Sequence, residues 1–268
     1  MTATTDSDSD DLAFDADMFQ EPEGFRPPTP VGTMEEYDRE DIHVQEGTLK
    51  TISLQMIGHH TLWAHKIWNA GVALARYIDA NKSIVQGKRT LELGGGASLP
   101  ALLSAINGAE CSVATDYPDP HLIKAIERNC VYNFPTHVEQ GKLKAVGYQW
   151  GQNMSPVFAA LPDNSRKFDV IYLSDVVPVF FTEHRNLLKS CQEALADGPD
   201  SVVFVYFTSH VVKFAERDFS FFKLAQEEFG FDVERMPDVK ASAMFPEDAG
   251  DINIRETVNC FKMWRKQD

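Results

Sequence analysis

Residues Arg89 to Pro100 read Arg-Thr-Leu-Glu-Leu-Gly-Gly-Gly-Ala-Ser-Leu-Pro, and they constrain the fold of this chain more than any other stretch. Thr90, Leu91 and Leu93 form a short apolar run of the kind a buried strand uses. Gly94, Gly95 and Gly96 follow at once, and Ala97 to Ile106 is rich in Ala and Leu, as a helix is. Strand, glycine turn and helix together open a nucleotide-binding α/β fold. Without side chains the backbone can approach a ligand closely and adopt positive φ. The first turn of the following helix offers unpaired N–H groups at the same place.

Three glycines alone are common in loops, and two acidic residues sharpen the reading. Glu92 lies two residues before the first glycine. Asp116 closes the next apolar run, Cys111 to Thr115, twenty residues beyond Gly96. An acid at that position can accept hydrogen bonds from the two ribose hydroxyls of an adenosine. It can also serve as a strand-end turn former, since Tyr117-Pro118-Asp119-Pro120 follows. The glycines and Glu92 together favour the ligand reading. A dinucleotide turn wants Gly-x-Gly-x-x-Gly, and here Leu99 stands in the third position, so a nicotinamide-dependent oxidoreductase is disfavoured. Glu-Leu-Gly-Gly-Gly looks more like the first motif of class I S-adenosylmethionine-dependent methyltransferases. Their cofactor carries a sulfonium cation and no phosphate, so a neighbouring acid is compatible with it.

The 268 residues suffice for one large α/β domain. The formal net charge is −15, which argues against a general nucleic-acid binder or an anionic membrane surface and suits a basic protein partner. Cys111, Cys130, Cys191 and Cys260 form no Cys-x-x-Cys pair and are expected as buried reduced thiols. The acidic N-terminus is unlike a signal peptide or presequence, and no apolar stretch reaches the length of a membrane span. The expectation is a cytoplasmic monomer with no metal site. Residues 1–18 are expected as a disordered acidic leader, and residues 19–268 as a single domain with an N-terminal extension. In that extension, Phe19 to Pro30 is a proline-rich segment with two phenylalanines, expected to lie on the domain or near the substrate entrance.

The rest of the chain alternates strands and helices. A hairpin or edge strand is expected over 41–54, and helices over 62–78, 122–131, 182–196 and 211–229. Strands are expected over 142–148, 168–173, 201–207, 231–236 and 257–264. Such an order predicts a mostly parallel sheet with helices on both faces and an antiparallel last strand. Ligands of open α/β sheets bind beyond the carboxyl ends of the strands. Four stretches should therefore meet there: Gly94 to Gly96, Asp116, Gln149 to Gly151, and Ser174 to Asp175. Trp150 is a candidate to flank an adenine or to pack in the core. Trp63 and Trp68 are open to the same two readings. Asp175 is a candidate helix cap, loop acid or holder of a substrate amine.

With these residues in view, the chain resembles the seven-β-strand (class I, Rossmann-like) methyltransferases of family 16, the lysine methyltransferase group. The resemblance rests on Trp68-Asn69-Ala70-Gly71 before Leu91-Glu92-Leu93-Gly94-Gly95-Gly96, then Asp116, Trp150-Gly151 and Ser174-Asp175 in order. It implies S-adenosylmethionine as cofactor, bound at Trp68, Gly94, Gly95, Gly96, Asp116, Trp150 and Ser174. Asp175 is implied as a residue that positions the acceptor. Glu21 to Pro28 and Leu62 to Gly71 look like a fungal branch of that group. Members of that branch act on the N-terminal glycine and adjacent lysine of translation elongation factor 1-alpha. One departure stands out: the group places an aromatic three residues after its Asp, and here Pro178 occupies that place, with Phe180 and Phe181 beyond. A methyltransferase of another protein lysine or of a small-molecule amine shares the same cofactor site. The altered loop also fits a non-catalytic cofactor-binding module.

Overall fold

The computed structural model describes residues 32–58, 66–162 and 167–267. The expected acidic leader, the Phe19–Pro30 segment and Trp63 lie outside the described residues. Strands β1 (Met34–Asp38) and β2 (Thr51–Gln55) form an antiparallel pair. The expected hairpin over 41–54 thus narrows to one strand whose partner lies earlier in the chain. Between the two strands, Asp41–His43 makes a turn of 3-10 helix, followed by a turn at Gly47.

The main unit then runs α1 (Asn69–Ala80), β3 (Arg89–Leu93), α2 (Leu99–Ile106), β4 (Cys111–Asp116), α3 (Pro120–Asn133), α4 (Pro135–Glu139) and β5 (Leu143–Gly147). It continues with α5 (Ser155–Phe158), β6 (Val170–Ser174), α6 (Val176–Val179), α7 (His184–Ala194), β7 (Val202–Phe207) and α8 (Ala215–Glu228). Last come β8 (Phe231–Arg235), β9 (Val239–Lys240), α9 (Ile252–Arg255) and β10 (Thr257–Arg265). The strand order is β5-β4-β3-β6-β7-β10-β8, with β9 pairing the start of β10. The pairs from β5 to β7 are parallel, whereas β10 is antiparallel to both β7 and β8. The last strand is therefore antiparallel, as expected, and it is inserted between its two predecessors instead of lying outside them. The connection from β8, residues 236–256, carries β9 and α9, and β10 then returns antiparallel along the edge of β7.

Period-two alternation divides the sheet into two buried faces. Leu91, Leu93, Ile171, Leu173, Val203, Val205 and Phe207 face α7 and α8. Val170, Tyr172, Phe204 and Tyr206 face α1 and α2, where Leu74, Ile78, Leu102 and Leu103 meet them. Each fully buried side chain of this size stabilises the fold by about 1.5–3 kcal/mol. All four cysteines are buried and free.

The helix expected over 62–78 begins at Asn69. Trp68 keeps an extended backbone (φ −83°, ψ 144°) and its carbonyl accepts the Val72 N–H. The Trp68 ring packs sideways on His210, 5.0 Å between centroids, and on Phe245, 6.0 Å, instead of continuing a helical stripe. Asn81 ends the helix as its composition suggests.

Candidate functional site

The switch in crossover direction lies between β3 and β6, because β4 and β5 continue to one side of β3 and β6 and β7 to the other. A crevice opens there beyond the strand ends. The Gly94 and Gly95 N–H groups both donate to the Thr115 carbonyl, at 3.0 and 2.8 Å, so the glycine turn is stapled to the end of β4. The turn can only be built from glycine at its start. Gly94 has φ +76°, and a Cβ there would lie 2.6 Å from Val176 Cγ1 and 2.9 Å from Trp150 Cζ2. Ser98 then enters α2 in the left-handed region, at φ 59°.

Asp116 lies directly beside this turn, at the end of β4. Its carboxylate accepts the Gly96 N–H at 2.8 Å and the Tyr117 N–H at 2.7 Å, so it shapes the glycine loop as well as facing the crevice. Glu92 is almost fully buried on β3. One oxygen accepts the Ala101 N–H at 3.0 Å in the first turn of α2, and the other is buried with no partner. Burial first, and then the nearby Asp116 charge, push the Glu92 carboxyl up to about 8. Ser174 Oγ, at the end of β6, is a second buried polar atom without a partner. Both atoms lie at residues that line a cavity of about 280 Å³. Unsatisfied buried polar atoms are uncommon in native proteins, and two of them on one cavity wall suit a polar ligand that would satisfy both.

The same cavity is lined by Trp68, Gly94, Gly95, Gly96, Asp116, Trp150, Ser174 and Asp175, so the structure brings these designated residues to one place, whereas Gly151 does not line it. Trp150 is half-buried, against the core on one side and the cavity on the other. The aromatic displaced by Pro178 is placed as well. Val176–Val179 forms a single helical turn, after which Phe180 lines the cavity with its ring 5.4 Å from Trp150, edge to face. Phe181 turns away onto His184 and the Arg217 guanidinium.

Asp175 has a different environment from that of a simple amine holder. It takes φ 54°, and its carboxylate is buried. One oxygen accepts the Thr208 N–H at 2.8 Å and lies 3.4 Å from His210 Nε2; the other accepts the Ala70 N–H at 3.2 Å. Asp175 thus ties the start of α1 and the chain after β7 to the end of β6, while still bordering the cavity. No sequence pattern singles out Lys66, Tyr117, Glu183 or His210. Lys66, Tyr117 and Glu183 line the cavity, and His210 packs behind Trp68. Tyr117 was reachable from its place beside Asp116. The other three depend on packing between segments distant in sequence.

The residues present fit S-adenosylmethionine. The unpartnered Glu92 oxygen and Ser174 Oγ offer polar atoms, Asp116 a further acid, and Trp150 with Phe180 an aromatic corner. A profile of the lysine methyltransferase family matches residues 50–228. The chain belongs to this family. A protein N-terminal and lysine N-methyltransferase of Schizosaccharomyces pombe is 45% identical over 249 residues, covering 92% of this chain and 94% of the relative. Its namesake in Aspergillus fumigatus is 35% identical, covering 94% and 95%. Among solved structures, Pyrococcus horikoshii TYW2 in complex with MeSAdo superposes with a TM-score of 0.52 at 16% identity, over 89% of this chain and 73% of that one. That likeness concerns the fold alone. As a member of the lysine methyltransferase family, the chain is an enzyme that uses S-adenosylmethionine and methylates protein. Among the described residues no helix is long and apolar enough to cross a membrane, and no cluster of side chains could hold a metal.

Proposed function

We propose that this methyltransferase acts on the N-terminal glycine α-amine and the adjacent lysine of translation elongation factor 1-alpha. In this reading it works as a cytoplasmic monomer, without direct contact to nucleic acid or membrane. The observation that carries the reading is the cavity in which the glycine turn, Asp116, Trp150 and Ser174 converge, in a chain closely similar to N-terminal and lysine methyltransferases. The strongly negative chain suits a basic acceptor.

S-adenosylmethionine supplies an electrophilic methyl group on a sulfonium. The chain's residues have three tasks around it. Glu92, Ser174 and the glycine turn would hold its amino-acid end, Asp116 its ribose hydroxyls, and Trp68, Trp150 and Phe180 would border its apolar parts. Asp175 is a positioning residue: by fixing the start of α1 and the chain after β7, it sets the walls between which the acceptor amine lines up with the methyl. Alignment of two reactants is itself a large part of catalysis of this kind. The attacking nitrogen must be neutral, and an α-amine, with an ordinary pKa near 8, reaches that state more readily at neutral pH than a lysine near 10.4. The α-amine should therefore be methylated before the lysine.

A synthetic peptide copy of the substrate's N-terminus tests this order. With a free amine, mass spectrometry should find α-amine methylation first and lysine methylation second. N-terminal acetylation removes the first nucleophile and should abolish α-methylation. Methylation of neither group on the free peptide overturns the substrate assignment.

A further inference from the structure

The geometry points to Lys66 as a methyl acceptor of its own enzyme. Lys66 sits two residues before Trp68 and lines the same cavity as the glycine turn, Ser174 and Asp175. Its ammonium lies 5.3 Å from the centroid of Phe245, whose ring meets the Trp68 edge 6.0 Å away. A lysine whose ammonium rests against an aromatic ring thus belongs to the lining of the cofactor cavity itself.

The backbone around Lys66 is anchored on one side only a few residues away, where the Ala70 N–H is bound by Asp175 at the end of β6. That anchor fixes the wall, while the unbranched lysine side chain retains its own rotations. The transfer balances simply. The Lys66 ammonium loses a proton to water at the cavity mouth, and the Nζ lone pair attacks the methyl carbon. The carbon–sulfur bond breaks with its electron pair kept by sulfur. The products are methyl-lysine and S-adenosylhomocysteine, and no other reactant is needed. The inference rests on the lysine reading above and adds an acceptor within the chain itself. Lys66 in this role competes with the substrate lysine for one site, so the unmodified and methylated enzymes should differ in their affinity for the acceptor.

The test uses the full chain with S-adenosylmethionine bearing an isotopically heavy methyl, first alone and then with the substrate peptide. Alone, intact mass should rise by one or more labelled methyls at a rate per molecule independent of protein concentration, and peptide mapping should place the label on Lys66. Lys66→Arg should remove it. A readout without turnover runs beside it: saturating S-adenosylhomocysteine should shield Lys66, and not surface lysines such as Lys223, from amine-directed acylation. Label that persists in Lys66→Arg, or equal acylation of Lys66 with and without S-adenosylhomocysteine, overturns the inference. Transfer to the peptide with none to Lys66 overturns it and leaves the lysine reading intact. Transfer to neither overturns both.

Discussion

A methyl group at Gly94 would collide with Val176 and Trp150, and the +76° φ adds strain of about 1–2 kcal/mol for any L side chain. Gly94→Ala should therefore weaken S-adenosylmethionine binding at least about tenfold, by calorimetry, the equivalent of about 1.4 kcal/mol. Wild-type affinity would show that the loop is not part of the site. Glu92 makes a pH-dependent prediction. Its folded carboxyl is pushed up to about 8 against an ordinary value of 4.5, so between those values the folded chain binds more protons than the unfolded one. Stability must then fall as pH rises, by up to on the order of 1.4 kcal/mol per unit from this group. Urea midpoints of the cofactor-free protein should drop less between pH 5.5 and 7.5 in Glu92→Gln than in the wild type; equal drops contradict the assignment. The importance of Glu92 and Gly94 was legible from their positions in the sequence. That Glu92 retains an unpartnered oxygen was not, because it depends on how the first turn of α2 meets β3.

Asparagines on one helix do the work of a strand. Asn129 and Asn133, one turn apart on α3, accept the Gln55 and Ser53 N–H groups at 2.7 and 3.0 Å. Each also donates back to the matching carbonyl, at 3.3 and 2.8 Å. The open edge of β2 is thereby closed by side chains, which also removes it as a template for pairing with another chain. Asn133→Ala leaves two backbone groups of Ser53 to find other partners and should cost about 1–3 kcal/mol in urea denaturation. An unchanged midpoint would mean that apolar contacts alone seat the hairpin. Asp175→Ala should behave likewise. Loss of its charge-assisted bonds to Ala70 and Thr208 lowers the thermal midpoint by an amount equivalent to roughly 1.5–3 kcal/mol and reduces turnover with it. Reduced turnover at full stability would instead assign Asp175 to direct contact with the acceptor. Element types and order from β3 to β10 followed from periodicity and turn residues. The late start of α1 did not, because Trp68 matches helical spacing but is drawn aside by His210 and Phe245.

At the scale of the whole molecule, charge and topology act together. Four strand ends deliver Gly94 to Gly96, Asp116, Trp150 and Ser174 to one crevice, and this convergence could be foreseen because the binding end of a parallel sheet follows from its strand direction. Lys66 and Glu183 enter the crevice from segments whose approach no local pattern encodes. The excess of negative charge should draw in a basic acceptor over about a Debye length, roughly 8 Å at physiological salt. KM for the substrate peptide should therefore rise with ionic strength while cofactor affinity stays nearly constant; a KM indifferent to salt would rule out electrostatic steering. The most direct test of the proposed activity is tandem mass spectrometry of purified, unmodified translation elongation factor 1-alpha after incubation with the full chain and S-adenosylmethionine. Methyl groups are expected on the N-terminal glycine α-amine and on the adjacent lysine; an unmethylated N-terminus, or methylation confined to other residues, would contradict the proposed activity.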